Sequence, residues 1–400
     1  MRSFQLLFLL VFILIFFLTA TGTIQNLKQI FGKRSFKFLP LFYGLVSFLI
    51  LAGFVVLYIY PYQPREASYY PVYFFFNALL FTFFVFNLPQ SVAFILHLIF
   101  SGKKRSPVLP YAGFIVAVGL SAGMLYGTMA GSGQLKMEQI DLYFANLPKN
   151  FDNYKIVQIS DTHLGRVKKT GRLLEKVATK IDKIDPDILL FTGDMVNNFA
   201  NELEGFDTIL QEVTENQTSY AILGNHDYGN YSNWETDEKK QANFEGIINT
   251  LQENGFRLLR NEHTVIKKGS DSIFIAGVEN WGHPPFPQYA DLEKAIQGIP
   301  SDAFTILLTH DPAHWESKIA GKRNIELTLS GHTHGMQWGI KLAGIPFSLA
   351  SLTRKSWGGL YIQGNTSLYV NTGLGTIGMP WRLDMPAEIS VFTLKRGKID

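Results

Sequence analysis

Four apolar stretches occupy the first third of the chain: about Phe4 to Ala20, Leu39 to Tyr60, Val72 to Phe100 and Leu109 to Ala130. Each approaches or exceeds the roughly 18–20 residues needed to span the hydrocarbon of a bilayer. Glu66 is the one acidic residue before position 131, and Lys and Arg fall between the stretches instead of inside them. The expectation is an all-α transmembrane bundle of about four helices, over residues 4–20, 39–60, 72–100 and 109–130. Tyr58, Tyr60, Tyr62, Tyr69, Tyr70 and Tyr73 crowd the second connection, as aromatic side chains do at headgroup depth. Arg2 and the first apolar run resemble a signal peptide, but Thr19-Ala20-Thr21 is a poor cleavage site, so the segment is read as retained. Lys28, Lys33, Arg34, Lys37, Lys103, Lys104 and Arg105 share one side of the bundle; Arg2, Arg65, Lys136 and Lys149 share the other. The richer side is expected to be cytoplasmic, which puts everything after residue 130 on the extracytoplasmic face. His97 lies inside the third stretch and is read as an uncharged residue packed between helices.

The charge balance divides the chain at the same place. Residues 1–150 hold 11 Lys and Arg against 3 Asp and Glu, a balance of +8, so the other 250 residues carry −5 of the +3 total. Neither part has the basic face of a nucleic-acid binder. With no cysteine, disulfides, thiolate metal sites and cysteine nucleophiles are excluded.

Past Gly131-Ser132-Gly133 the texture changes to short β-branched runs alternating with helix-like stretches such as Thr170 to Ile184 and Asp237 to Asn254, the mark of α/β layering. The informative residues sit at the carboxyl ends of the apolar runs. Tyr154 to Ile159 leads into Asp161-Thr-His163, Asp187 to Phe191 into Gly193-Asp194, and Tyr220 to Leu223 into Gly224-Asn225-His226-Asp227. Phe304 to Leu308 leads into His310, and Glu326 to Leu329 into Gly331-His332-Thr333-His334. Five strand ends thus carry carboxylate, imidazole and amide groups toward one edge. Such a sulfur-free donor set suits Mn, Fe or Zn. A metal pair bridged by an Asp acidifies water and stabilises both oxygens of a phosphoryl displacement.

In order and wording, these motifs resemble the calcineurin-like metallophosphoesterases over residues 151–397. Asp161-Thr-His-Leu-Gly165, Ser330-Gly-His-Thr-His-Gly335 with Gln337, and Tyr369-Val-Asn-Thr-Gly-Leu-Gly375 resemble the YkuE-like, membrane-associated bacterial branch. The resemblance implies a two-sheet sandwich flanked by helices, in a bacterial plasma membrane protein. It implies one metal on Asp161, His163 and His334, a second on Asn225, His310 and His332, and Asp194 bridging them. It further implies that His226 protonates the leaving oxygen, that Asp227 orients His226, and that the nucleophile is a metal-bridging hydroxide. The sequence departs from the family at Met336, which interrupts the usual Gly-Gly-Gln, and at Asn280, where Asp is common.

Other residues are less constrained. Arg166 is close enough to the first motif to bind a substrate phosphate, and a solvated surface Arg is the equal alternative. His263 and His314 are read as structural. His283, in a Gly/Pro-rich loop, is a candidate to overhang the site. Residues 338–352, rich in Ile, Leu and Ala, are too apolar for an exposed loop and too short to span. They are expected against the bilayer, along an acyl-chain groove, or in ordinary core. The expected organisation is a bundle over 1–130, a linker over 131–150 and a metallophosphoesterase domain over 151–397. The expected activity is hydrolysis of a phosphomonoester, phosphodiester or pyrophosphate bond, with a lipid-linked substrate as the sharper form. A noncatalytic membrane scaffold on the same fold, or a protein phosphatase, is the alternative.

Overall fold

A computed structural model describes residues 2–32, 38–59, 66–100, 107–165, 168–282, 287–342 and 345–397. The chain forms two compact units, one mostly helical and one built around two sheets.

The helical unit consists of α1 (Arg2–Phe31), α2 (Leu39–Ile59), α3 (Tyr70–Phe100) and α4 (Val108–Met129). By length and composition, α1, α3 and α4 suffice to cross a membrane, whereas α2 contributes a shorter apolar stretch, Pro40–Val56, among the described residues. Phe16, Ile50, Leu51 and Leu80 pack together inside, while Leu14, Phe48, Phe75 and Ile115 are more than half exposed. Apolar residues facing outward and polar residues facing inward reverse the usual soluble arrangement. The inner polar groups join helices: Ser91 Oγ donates to the Thr19 carbonyl at 2.6 Å, Thr23 Oγ1 to the Asn87 carbonyl at 3.2 Å, and Asn26 Nδ2 to the Pro110 carbonyl at 3.1 Å. Hydrogen bonds of this kind hold helices together where no hydrophobic difference separates helix from lipid. His97 is buried within this unit.

The second unit contains, in chain order, β1 (Leu135–Phe144), β2 (Lys155–Ile159), β3 (Ile188–Phe191), β4 (Thr218–Ala221), β5 (Phe256–Leu258), β6 (Glu262–Lys268) and β7 (Asp271–Gly277), followed by β8 (Thr305–Leu308), β9 (Leu327–Ser330), β10 (Gly339–Leu342), β11 (Ile345–Ser348), β12 (Gly359–Gln363), β13 (Thr366–Val370) and β14 (Ala387–Arg396). One six-stranded sheet runs β1-β14-β2-β3-β4-β5 and the other β12-β13-β9-β8-β7-β6, with β10 and β11 forming a separate hairpin. The inner faces of the two sheets meet in a core that includes Ile156, Leu190, Ile222, Ile275, Ile306, Leu329 and Phe392, all buried. On the outer face of the first sheet, α5 (Lys168–Ile184), α6 (Asp207–Thr214) and α7 (Asp237–Glu253) contribute Leu174, Val177, Leu210, Ile247 and Leu251 to a second core. This is the expected two-sheet sandwich flanked by helices.

One stretch differs from expectation. Residues 135–144, read from sequence as linker, form β1, paired in parallel register with β14 from Leu135–Ala387 to Phe144–Arg396. Its polar residues disguise it, because an edge strand buries little on one face and tolerates Lys, Glu and Gln there. Lys136 reaches the buried Glu388 carboxylate at 3.0 Å. Glu388 also accepts from the hydroxyls of Tyr369 at 2.6 Å, Thr372 at 2.7 Å and Ser390 at 2.8 Å.

Candidate metal centre

The parallel strands β2, β3 and β4 of one sheet, and β8 and β9 of the other, end at a common edge. The loops leaving them are forced into uncommon backbone conformations. Asp161, His163, Asp194, His332 and His334 all have positive φ, between 42° and 73°, a region that costs side-chain-bearing residues energy and concentrates at functional sites. Close approach explains two of the glycines. A Cβ at Gly224 would collide with the Asp194 carboxylate, and one at Gly331 with the Asp161 carboxylate and the Ser160 hydroxyl. The loops interlock through Asp161 N–H to the Gly193 carbonyl at 2.9 Å and Gly331 N–H to the His310 carbonyl at 3.0 Å.

Two groups of side chains converge there: Asp161 with His163 and His334, and Asp194 with His310 and His332. In the first, His163 Nε2 and His334 Nε2 are 3.1 Å apart, and His334 Nε2 is 3.2 Å from Asp161 Oδ1. His163 Nε2 also lies 3.6 Å from Asp194 Oδ2. In the second, His310 Nε2 is 3.1 Å from Asp194 Oδ2 yet has no hydrogen-bond partner. His310 Nδ1 donates to the Thr192 carbonyl at 2.7 Å, which fixes the ring with Nε2 toward the carboxylates. His332 Nδ1 meets Asn225 Oδ1 at 2.8 Å.

The electrostatics fit a cation. Burial pushes His163 below the usual imidazole range and His332 down to about 4, so both are neutral and offer lone pairs at pH 7. Burial would raise the Asp161 and Asp194 carboxyls, but neighbouring His334 and His310 hold both low. Burial also disfavours charge on His310, yet Asp194 and Asp161 outweigh it and lift the ring to about 10. A proton there serves as the countercharge to two buried carboxylates. A divalent ion held there would take the same electrostatic place, with such a proton released. Donor types and the facing imidazole nitrogens of His163 and His334 thus suit divalent metal ions.

His226 lies beside these groups. Its Nδ1 meets the Asn197 carbonyl at 2.7 Å, its backbone N–H donates to Asp194 Oδ1 at 2.8 Å, and its ring stacks on Tyr231 with centroids 4.4 Å apart. The expected orientation of His226 by Asp227 is corrected here. The Asp227 carboxylate instead accepts from the backbone N–H groups of Asp194, Met195, Val196 and Gly224 at 2.8–3.2 Å. It braces the two loops that carry Asp194 and Asn225, and the Asn197 carbonyl sets the ring. The sequence places Asp227 next to His226, but consecutive side chains leaving a tight turn point apart.

Several supporting residues escaped the sequence reading. Glu202 accepts from the N–H groups of Gly165, Asn197, Asn198 and Phe199 at 2.7–3.1 Å. Arg382 is fully buried and donates to the carbonyls of Thr372, Gly373, Gly375 and Met385 at 2.6–3.0 Å, beneath the loop that passes Asp161 and His334. Arg354 Nη2 meets His332 Nε2 at 2.9 Å and its Nη1 meets Asp311 at 3.2 Å. Of these, Asp311 alone had a local signal, following His310 directly.

The secondary candidates resolve differently. His314 is buried, with Nδ1 3.0 Å from the Thr309 hydroxyl and its ring stacked on Trp281. His263 Nδ1 meets the Ala295 carbonyl at 2.9 Å. Both are outside the two groups of candidate metal ligands among the described residues. Arg166 and His283 lie outside the described residues. Met336 has φ 48°, a conformation natural to the glycine it replaces. Gln337 Oε1 accepts from Ile377 N–H at 2.6 Å. In the apolar segment, Leu349 and Leu352 are exposed and Ala350 is buried.

The sequence pattern of the calcineurin-like phosphoesterase family matches residues 154–336. A transmembrane protein with a metallophosphoesterase domain from Danio rerio is 27% identical over 80% of this chain and 71% of its own length. An uncharacterized metallophosphoesterase of Aquifex aeolicus is 29% identical over 65% of this chain and 92% of its own. YkuE of Bacillus subtilis, also an uncharacterized metallophosphoesterase, is 31% identical over 62% of this chain and 82% of its own. On that likeness and on the site described above, this chain belongs to the calcineurin-like phosphoesterases, as a metal-dependent phosphoric ester hydrolase.

Proposed function

We propose that the chain is a membrane-integrated phosphoesterase with two divalent metals, hydrolysing a phosphomonoester, phosphodiester or pyrophosphate bond. The observation that carries the reading is the pair of facing imidazole nitrogens on His163 and His334, 3.1 Å apart beside Asp161, with His310 and Asp194 in the neighbouring group. Asp161, His163 and His334 would hold one ion and Asn225, His310 and His332 the other, with Asp194 between them. Ions so held would supply an activated water and neutralise charge developing on the phosphoryl group. Mn, Fe or Zn fits the donors.

The chain's own residues do the remaining work. His226, fixed through Nδ1 by the Asn197 carbonyl, holds its proton on Nδ1 in the neutral ring. A second proton at Nε2 is the one it would give to a leaving oxygen. Asp227 keeps the Asp194 and Asn225 loops in register without touching substrate. Glu202 and Arg382 hold the outer loops rigid, so the strained ligand positions persist without substrate.

The basic clusters between the apolar stretches support an extracytoplasmic site, the reading that follows from four crossing helices. The apolar helices and the exposed Leu349 and Leu352 favour a lipid-linked or membrane-proximal substrate. A screen of the detergent-solubilised full chain with Mn²⁺, across phospholipid, nucleotide-sugar and generic diester substrates, tests the reading. Turnover of a detergent-presented substrate above its soluble counterpart supports lipid linkage, and equal rates remove it.

A further inference from the structure

Beside the second ligand group lies a pocket of about 260 Å³, whose lining includes Tyr231, Asn280, Trp281, Asp311, His332 and Arg354. We propose that Arg354 binds the substrate's phosphoryl oxygens, and that this pocket receives the alcohol part of a small phosphate ester. The inference rests on the phosphoesterase reading above and adds to it a named phosphate contact and a size for the leaving group.

Arg354 is placed for this by contacts on both terminal nitrogens. Nη1 is 3.2 Å from Asp311 Oδ1, and the Asp311 side chain is 3% exposed whereas that of Arg354 is 31% exposed. The carboxylate behind holds the guanidinium still while its outer edge faces the pocket. Nη2 is 2.9 Å from His332 Nε2, so the guanidinium lies across one imidazole ring from Asn225 Oδ1, which meets His332 Nδ1. Two of five N–H groups are engaged, and a planar fork with donors to spare matches the geometry of phosphoryl oxygens. The position is also electrostatically apt. Asp311 is the carboxylate and Arg354 the cation among the pocket's lining residues, so the guanidinium is the side chain there that would attract a phosphate.

The opposite walls are uncharged. Trp281 is backed by the stacked His314 ring, 4.6 Å between centroids. Tyr231 stacks on His226 and accepts from Asn225 Nδ2 at 2.8 Å. Asn280 is buried and its side-chain oxygen has no hydrogen-bond partner. A carboxylate there would add to the repulsion of phosphate; an amide leaves an acceptor for a hydroxyl of the ester. The volume, about 260 Å³, is just below the roughly 300–1,000 Å³ of small-molecule sites, which fits a compact group next to phosphorus.

The test uses the metal-loaded full chain in detergent, with Arg354→Gln and Arg354→Lys. Calorimetry measures binding of inorganic phosphate, metal analysis measures ion content, and p-nitrophenyl phosphate and its diester give KM and kcat. In Arg354→Gln, phosphate affinity should fall and KM rise by about 10- to 100-fold, the loss of one or two charge-assisted hydrogen bonds, with metal content unchanged. Arg354→Lys should recover part of the phosphate affinity. Unchanged phosphate affinity in Arg354→Gln overturns the assignment, and so does a loss of metal matching the loss of phosphate binding, which would make Arg354 a support for His332 alone. Because phosphate binding is read without turnover, a wild-type chain that binds phosphate through Arg354 but hydrolyses nothing would sink the phosphoesterase reading and leave this contact standing.

Discussion

His163 Nε2 and His334 Nε2 face each other at 3.1 Å from strand ends 171 residues apart in sequence. Two imidazole nitrogens at that distance share at most one proton, and burial keeps His163 neutral. The arrangement is stable when a cation accepts both lone pairs.

Metal should therefore stabilise the fold. Any ligand bound by the native state alone adds about 2.7 kcal/mol at 100 times its dissociation constant. For a unit of this size that is a rise in melting temperature of roughly 5–10 °C. Thermal melts of the EDTA-treated chain with and without Mn²⁺ check it. His163→Ala should shrink the rise, and an unchanged melt on adding metal to the wild type would contradict the account.

The pair of Lys136 and Glu388 predicts a pH-dependent contribution. Burial raises the Glu388 carboxyl, but Lys136 and three hydroxyls outweigh it and hold it below the usual value. Its stabilisation is thus present above the unfolded value of about 4.3 and is lost as pH falls through the lower folded value. Burial lowers Lys136, and Glu388 outweighs it, so its value is raised. Its contribution holds below its ordinary value and fades only as pH rises through the raised one. Lys136→Met leaves Glu388 buried without its cation and should cost about 2 kcal/mol at pH 7. Denaturant titrations at pH 7 and pH 3 should show the cost shrinking in acid; a constant cost would contradict it.

Met336 occupies a left-handed conformation, φ 48°, with 47% exposure. Met336→Gly should stabilise the fold by about 0.5–1 kcal/mol, the strain relieved less the extra entropy of an unfolded glycine. A lower melting temperature in the variant would show that the Met side chain contributes more packing than its exposure suggests.

The converging side chains were legible in sequence because each follows a short apolar run, and Asp161, Asp194, Asn225, His310 and His332 sit at the ends of strands the runs predicted. Apolar length likewise announced the helices. What stayed hidden depends on partners far along the chain. Arg382 reads as one more Arg until Thr372, Gly373 and Gly375 fold over it. Glu202 has no motif, since its acceptors serve backbone N–H groups, which carry no residue identity. Arg354 gains meaning only from Asp311 and His332. Asp227 was misassigned for the converse reason, that adjacency in sequence suggested contact with His226. The strand β1 was missed because its Lys and Glu resemble a linker until Glu388 appears opposite Lys136.

The central claim, a metal centre with His226 as its acid, is tested most directly by metal content and turnover measured together on Asp194→Ala and His226→Ala. Asp194→Ala should lose both metal and activity, since its carboxylate stands between His310 and His163. His226→Ala should keep its metal and lose turnover by about 10²–10⁴-fold, the usual contribution of one acid–base group. Hydrolysis retained in full by both variants would contradict the account.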